Sequence, residues 1–180
     1  FAGRYRCVLL LDEFDAIAKI RDDPQEVGEI KRVVNALLQN LDSRKQFGYT
    51  IGITNHEHLL DSAVWRRFDI QVQIPKPSFE SRLEIARSYI RPVELDEGQF
   101  RMIAWLCDGA SGADIESLAT FIKKDRALNP DFDLFATLRQ FAAVNSGRLS
   151  SERKSVLFMD PQEMAKTLLA DNELRFDQSD

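Results

Sequence analysis

Cysteine is scarce: Cys7 and Cys107 are the two in 180 residues. That excludes a disulfide-stapled secreted scaffold and a zinc site built from cysteines. One lies in an apolar run and the other in a helical pattern, so both read as reduced core thiols of a cytoplasmic protein. Long apolar runs are also missing, since none reaches the roughly 18–20 residues of a membrane span; Cys7–Leu11 is strand-sized. The opening Phe1-Ala2-Gly3-Arg4 carries no signal-peptide pattern. There is no excess of basic charge: 29 Asp and Glu against 24 Lys and Arg leave a net charge of −5 and a pI near 5.2. That balance argues against sequence-independent nucleic-acid binding. The remaining composition, 44% hydrophobic and 29% charged, is that of an ordinary globular domain, and the length fits one domain or a core with a small annex.

Along the chain the character changes near Pro92. Before it, strand-like runs alternate with helical patterns. Cys7–Leu11 reads as a strand buried on both faces, and residues 12–20 as a short helix. Val27, Ile30, Val33, Val34, Leu37, Leu38 and Leu41 are spaced for a helix with one buried face. Residues 49–54 read as a second strand, residues 61–67 as a short helix, and residues 70–74 as an alternating edge strand closed by Pro75 and Pro77. Ser78 opens a helix through Ile90. Such alternation implies a parallel sheet with helical crossovers.

After Pro92 the pattern becomes helical over residues 99–107, 111–128 and 134–144, with Trp105, Phe121, Phe135 and Phe141 as core. Asp160, Pro161 and Glu163 mark another helix start, residues 147–151 read as a mobile link, and residues 154–159 as strand or loop. The fold class is α/β, part of a parallel-sheet core followed by a small all-helical domain. The boundaries fall at residues 1–92, 93–146 and 147–180, the last a helical extension. Three strands would leave two open edges, so more sheet is expected ahead of Phe1.

Four constellations carry chemistry. Val8-Leu9-Leu10-Leu11-Asp12-Glu13 brings two acids to the C-terminal end of a strand, where ligands sit in open α/β sheets. Asp12 could hold a hydrated Mg²⁺ and Glu13 could polarise a water; both could equally favour the first turn of the next helix. Ile51-Gly52-Ile53-Thr54-Asn55 ends a strand in an amide that could simply form a turn. Trp65-Arg66-Arg67-Phe68 pairs two guanidiniums, a surface feature or a stabiliser of phosphoryl charge. Gly109-Ala110-Ser111-Gly112-Ala113-Asp114 starts a helix with a cap that could also face a nucleotide. His56 and His58, without a third ligand, read as loop.

Order and spacing join the four: Asn55 lies 43 positions after Asp12, and Arg66 lies 11 after Asn55. Over Tyr5 to about Leu128 the chain resembles the C-terminal two-thirds of an AAA-family ATPase module, of the AAA proper clade. Leu9-Leu10-Leu11-Asp12-Glu13 resembles its Walker B strand, Thr54-Asn55 its sensor 1, and residues 59–69 the segment with its arginine fingers. Residues 74–77 with 81–85 resemble the passage to its last core helix, and residues 109–115 its sensor-2 region. The resemblance implies a P-loop NTPase core with a helical lid, ATP and Mg²⁺ as cofactors, and Asp12 as the metal residue. It implies Glu13, Asn55, Arg66 and Arg67 as catalytic residues, with Gly112 and Ala113 near the adenine and ribose. It also implies a homo-oligomer, a hexameric ring in the full-length protein, acting on a macromolecular substrate. Residues 21–25 stand where the family can line a central pore.

Two departures bear on the reading. No G-x-x-x-x-G-K-[ST] loop, the family's Walker A, occurs in these 180 residues, so the chain is expected to be a fragment with little activity alone. Arg66-Arg67 also lacks the Pro-Gly insertion many members place between arginines. A non-catalytic scaffold retaining the fold is the alternative function. The joint presence of Asp12, Glu13, Asn55 and Arg66, which a scaffold does not need, favours the ATPase.

Overall fold

The computed structural model describes residues 6–15, 29–44, 48–60, 62–145 and 147–174. Its contacts divide the chain into two compact units, Phe1–Gln73 and Ile74–Asp180. The first contains β1 (Leu9–Leu11), α1 (Glu29–Arg44), β2 (Thr50–Gly52), a 3₁₀ turn (Glu57–Leu59) and α2 (Ser62–Trp65). β1 and β2 run parallel, with Leu9, Leu10 and Leu11 opposite Thr50, Ile51 and Gly52. Parallel neighbours need a crossover, and α1 lies in that connection.

Side chains alternate across a strand, and here the alternation divides core from surface. Leu9 and Leu11 pack against Phe14, Leu38, Leu41 and Val64. Val8, Leu10, Ile51 and Ile53 remain exposed. The expectation of a strand buried on both faces is therefore corrected: among the described residues only one face of β1 is covered. Gly48 begins the approach to β2 at φ +141°. A Cβ there would lie 2.3 Å from the Cys7 carbonyl oxygen, so any side chain would push the strands apart.

The expected edge strand at residues 70–74 is not formed. Ile70, Val72 and Ile74 are 80%, 78% and 88% exposed, and no strand among the described residues pairs with them. Alternation alone does not make a strand; a partner must take its N–H and C=O groups. The expected helix over residues 12–20 and the polar stretch 21–25 lie largely outside the described residues.

The second unit holds α3 (Phe79–Ile90), α4 (Glu97–Leu106), α5 (Gly112–Leu128), α6 (Leu134–Val144), α7 (Ser151–Val156), α8 (Pro161–Ala170) and a 3₁₀ turn at Asn172–Leu174. Ser78, Asp96, Ser111, Asp133, Ser150 and Asp160 cap the six helices with side-chain oxygens, each supplying an acceptor to an orphan N–H. Ile90, Ile103, Leu118, Ile122, Leu138 and Phe141 form its core, each worth about 1.5–3 kcal/mol in transfer free energy. α3 packs into this unit, against α4 and α5, whereas the sequence boundary at residue 92 grouped it with the strands.

The expected link at residues 147–151 is tied down instead. Leu149 is 6% exposed and Ser150 starts α7, which takes in part of the ambiguous stretch 154–159. A three-arginine network fastens the end of the described chain here. Arg82, 4% exposed, donates from Nε to the Ala104 carbonyl at 2.8 Å and pairs with Asp108 at 3.1 Å. Arg153 reaches Glu173 at 2.7 Å, Arg101 donates to the Glu173 carbonyl, and Trp105 Nε1 donates to Asp171 Oδ2 at 2.7 Å. The α/β class, with a parallel sheet followed by helices, is as expected.

Candidate active site

The end of β1 is shaped by one residue of the neighbouring strand. Ile53 N–H donates to the Leu11 carbonyl, and Phe14 N–H donates to the Ile53 carbonyl, both at 2.9 Å. Asp12 and Glu13 lie between these two bonds and bulge from the ladder. Glu13 has φ +49°, a left-handed conformation uncommon outside glycine and frequent where function holds it. Asp12 Oδ1 accepts the Glu13 N–H at 2.9 Å, satisfying the donor that the bulge frees. Both acids are exposed.

Beside them, Thr54 Oγ1 donates to Asp15 Oδ1 at 2.7 Å and accepts the His56 N–H at 3.0 Å. This turns the chain after β2 and leaves Asn55 exposed. Parallel pairing thus brings Asp12, Glu13 and Asn55 to the C-terminal ends of adjacent strands. The exposed rings of His56 and His58 stand edge to face, 5.8 Å apart. Among the described residues no three His, Cys, Asp or Glu side chains gather as a metal cage.

Arg66 and Arg67 close α2. Arg66 N–H donates to Ser62 O at 3.2 Å, and Arg67 N–H to Val64 O at 3.1 Å. Their side chains differ. Arg67 lies with Nε 3.3 Å from Asp42 Oδ2 and donates to the Ala63 carbonyl at 2.5 Å. Arg66 is exposed and has no side-chain partner among the described residues. Phe68 then packs against Gly52, where a Cβ would come within 3.0 Å of its ring.

Gly112 and Ala113 belong to the second unit, in the first turn of α5, whose leading N–H groups lack intrahelical acceptors. Ser111 Oγ accepts the Asp114 N–H at 3.2 Å, and Asp114 Oδ2 accepts the Ser111 N–H at 3.0 Å. The Ser111 hydroxyl, at 2.6 Å, holds the Asp114 carboxyl below its ordinary pKa. Ala113 also borders an open groove of about 420 Å³ with Thr120, Phe121 and Lys124. The sequence reading missed Asp15, Asp42 and Phe68. Asp15 follows Asp12 by three residues in Asp12-Glu13-Phe14-Asp15, but nothing local says that it meets Thr54.

Residues 2–76 match the sequence family described as "ATPase family associated with various cellular activities (AAA)". This part of the chain belongs to the AAA family. An uncharacterized AAA family ATPase, y4kL of Sinorhizobium fredii, is 38% identical over 120 residues, covering 67% of this chain and 36% of that protein. The proteasome-activating nucleotidase of Pyrococcus furiosus is 39% identical over 119 residues, covering 63% of this chain and 30% of that protein. The chain thus spans about a third of the length of these curated relatives. Among solved structures, the FIGL-1 AAA domain in complex with ADP matches with a TM-score of 0.57 at 21% identity, covering 93% of this chain and 57% of that one. That likeness is one of fold: a portion of a P-loop NTPase core followed by helices. No helix among the described residues is long and apolar enough to cross a membrane.

Proposed function

We propose that this AAA chain supplies the hydrolytic acids, sensor, trans-acting arginine and lid of an ATPase. In the whole protein it would couple hydrolysis to remodelling of a macromolecular substrate. The reading includes a cytoplasmic homo-oligomer, a hexameric ring, in which each subunit completes its neighbour's site. The observation that supports it best is the pair of bonds through Ile53, which ejects Asp12 and Glu13 from the ladder beside Asn55.

Each group has a task suited to its chemistry. Glu13, exposed at the tip of the bulge, orients a water and takes its proton as the water attacks the γ-phosphorus. Asn55 offers an amide that donates to the water or a phosphate oxygen. Arg66, with no intramolecular partner among the described residues, is the better candidate to reach a neighbouring subunit; Arg67 is engaged with Asp42. The N–H groups of Gly112 and Ala113 would lie near the nucleotide's sugar and base. A single exposed carboxylate suits Mg²⁺, which keeps several waters and takes its other ligands from phosphates. Asp12 would hold that ion, which neutralises charge on the phosphate oxygens.

The phosphate cradle is assigned to other residues of the whole protein, because no G-x-x-x-x-G-K-[ST] run lies among these 180. The isolated chain should accordingly show little hydrolysis and only weak ATP binding. In the whole protein, Glu13→Gln should retain ATP binding and lose most turnover, and Asp12→Asn should also weaken Mg²⁺-dependent binding. Unchanged turnover in Glu13→Gln would contradict the assignment.

A further inference from the structure

We propose that Asp15 and Thr54 form a positioning pair that sets Glu13 and Asn55 relative to each other. The inference rests on the ATPase reading above and extends it to two residues to which that reading gives no catalytic or metal role. Asp15 stands two residues after Glu13, and Thr54 immediately precedes Asn55. Their side chains are joined across 39 positions of sequence by the 2.7 Å bond from Thr54 Oγ1 to Asp15 Oδ1, in a half-buried setting.

The bond occupies the place where the backbone ladder ends. Past Ile53 the last backbone link between the two segments among the described residues is Phe14 N–H to Ile53 O. Beyond it, the turn that presents Asn55 is held to the turn after Glu13 by this side-chain contact. Thr54 Oγ1 does two things at once. Its proton goes to Asp15, which orients a lone pair toward the His56 N–H at 3.0 Å. One hydroxyl therefore fixes both the separation of the segments and the bend that carries Asn55. A carboxylate acceptor makes this stronger than a bond between neutral groups. Glu13 also needs restraint, because its left-handed φ of +49° is a conformation that persists only when its surroundings over-determine it.

Water attack requires the acid and the amide to converge on one water. A misplacement of about 1 Å can cost on the order of 100-fold in rate without loss of binding. Breaking the pair should therefore lower kcat while leaving the KM for ATP in place.

The test uses the whole ATPase with Thr54→Val, Thr54→Ser, Asp15→Ala, the double variant Asp15→Ala/Thr54→Val, and Glu13→Gln alongside. Thr54→Val and Asp15→Ala should each lose roughly 10–100-fold in kcat, with KM changed less than about threefold. The double variant should be no worse than the poorer single, and Thr54→Ser, which keeps the hydroxyl, should restore turnover to within about threefold. With Glu13→Gln inactive, normal kcat in both single variants would overturn the positioning role and leave the ATPase reading standing. So would losses that multiply in the double variant or that Thr54→Ser fails to rescue. Full turnover in Glu13→Gln would overturn both.

Discussion

Phe68 stands edge-on to Phe14, their ring centroids 5.6 Å apart at 81°. The residue after Arg66-Arg67 is thereby locked to the residue after Asp12-Glu13. Gly52 lies under the same ring, so the end of β2, the turn of acids after β1 and the turn carrying the arginines meet at one aromatic contact. Edge-to-face pairs add about 0.5–1.5 kcal/mol beyond burial. Here the contact also fixes where the arginine turn sits against the β1–β2 pair.

The arginines should separate in experiment. Arg67→Ala removes a half-exposed ion pair with Asp42 and should cost the fold about 1 kcal/mol or less. Arg66→Ala removes a side chain without a partner among the described residues and should leave stability within about 0.5 kcal/mol. Turnover should respond the other way, falling more in Arg66→Ala, with kcat affected more than KM. Paired thermal melts and steady-state assays of the whole protein check this; equal kcat losses would show that Arg67 leaves Asp42 to act.

The cap of α5 carries a pH signature. The Ser111 hydrogen bonds hold the Asp114 carboxyl below its ordinary value, so its stabilisation is present above the unfolded carboxylate range near pH 4. It is lost as pH falls from there through the lower folded value, because over that window the unfolded chain binds more protons than the folded one. Ser111→Ala should cost about 1 kcal/mol at pH 7. Asp114→Asn should also destabilise at pH 7, and its difference from wild type should shrink as pH falls below about 4. Denaturant melts at several pH values measure it; a difference that grows on acidification would contradict the capping box.

Cys107 should be chemically silent. It is 1% exposed, and burial pushes its thiol up to about 12, so almost no thiolate exists near pH 8. Cys7 is half-buried. Iodoacetamide at pH 8 should modify Cys7 first, and Cys107 only when denaturant is added. Equal labelling rates in the folded protein would show that the core around Cys107 opens readily.

How much could be read in advance depended on how local the cause was. α6 was legible because Leu134, Leu138 and Phe141 recur at helical spacing and all become buried. The helical spacing starts at Gln99, but α4 begins two residues earlier at Glu97. Its polar first turn hides it, although Asp96 and Gln99 form a capping box. Residues 70–74 alternate like a strand, yet no described segment pairs with them. The acids Asp12 and Glu13 announce themselves after three leucines. The Asp15–Thr54 bond does not, because only the parallel register of β1 and β2 brings its ends together. Arg66 and Arg67 are identical letters in sequence; Asp42, on α1, tells them apart.

In the proposed ATPase, one subunit supplies Glu13 to its own nucleotide and Arg66 to its neighbour's. Whole-protein subunits carrying Glu13→Gln are mixed with subunits carrying Arg66→Ala, each variant expected to keep only a small part of the turnover alone. In mixed rings, some sites unite an intact Glu13 with an intact Arg66, so part of the wild-type ATPase activity should return. No recovery in rings shown to have assembled would contradict the account.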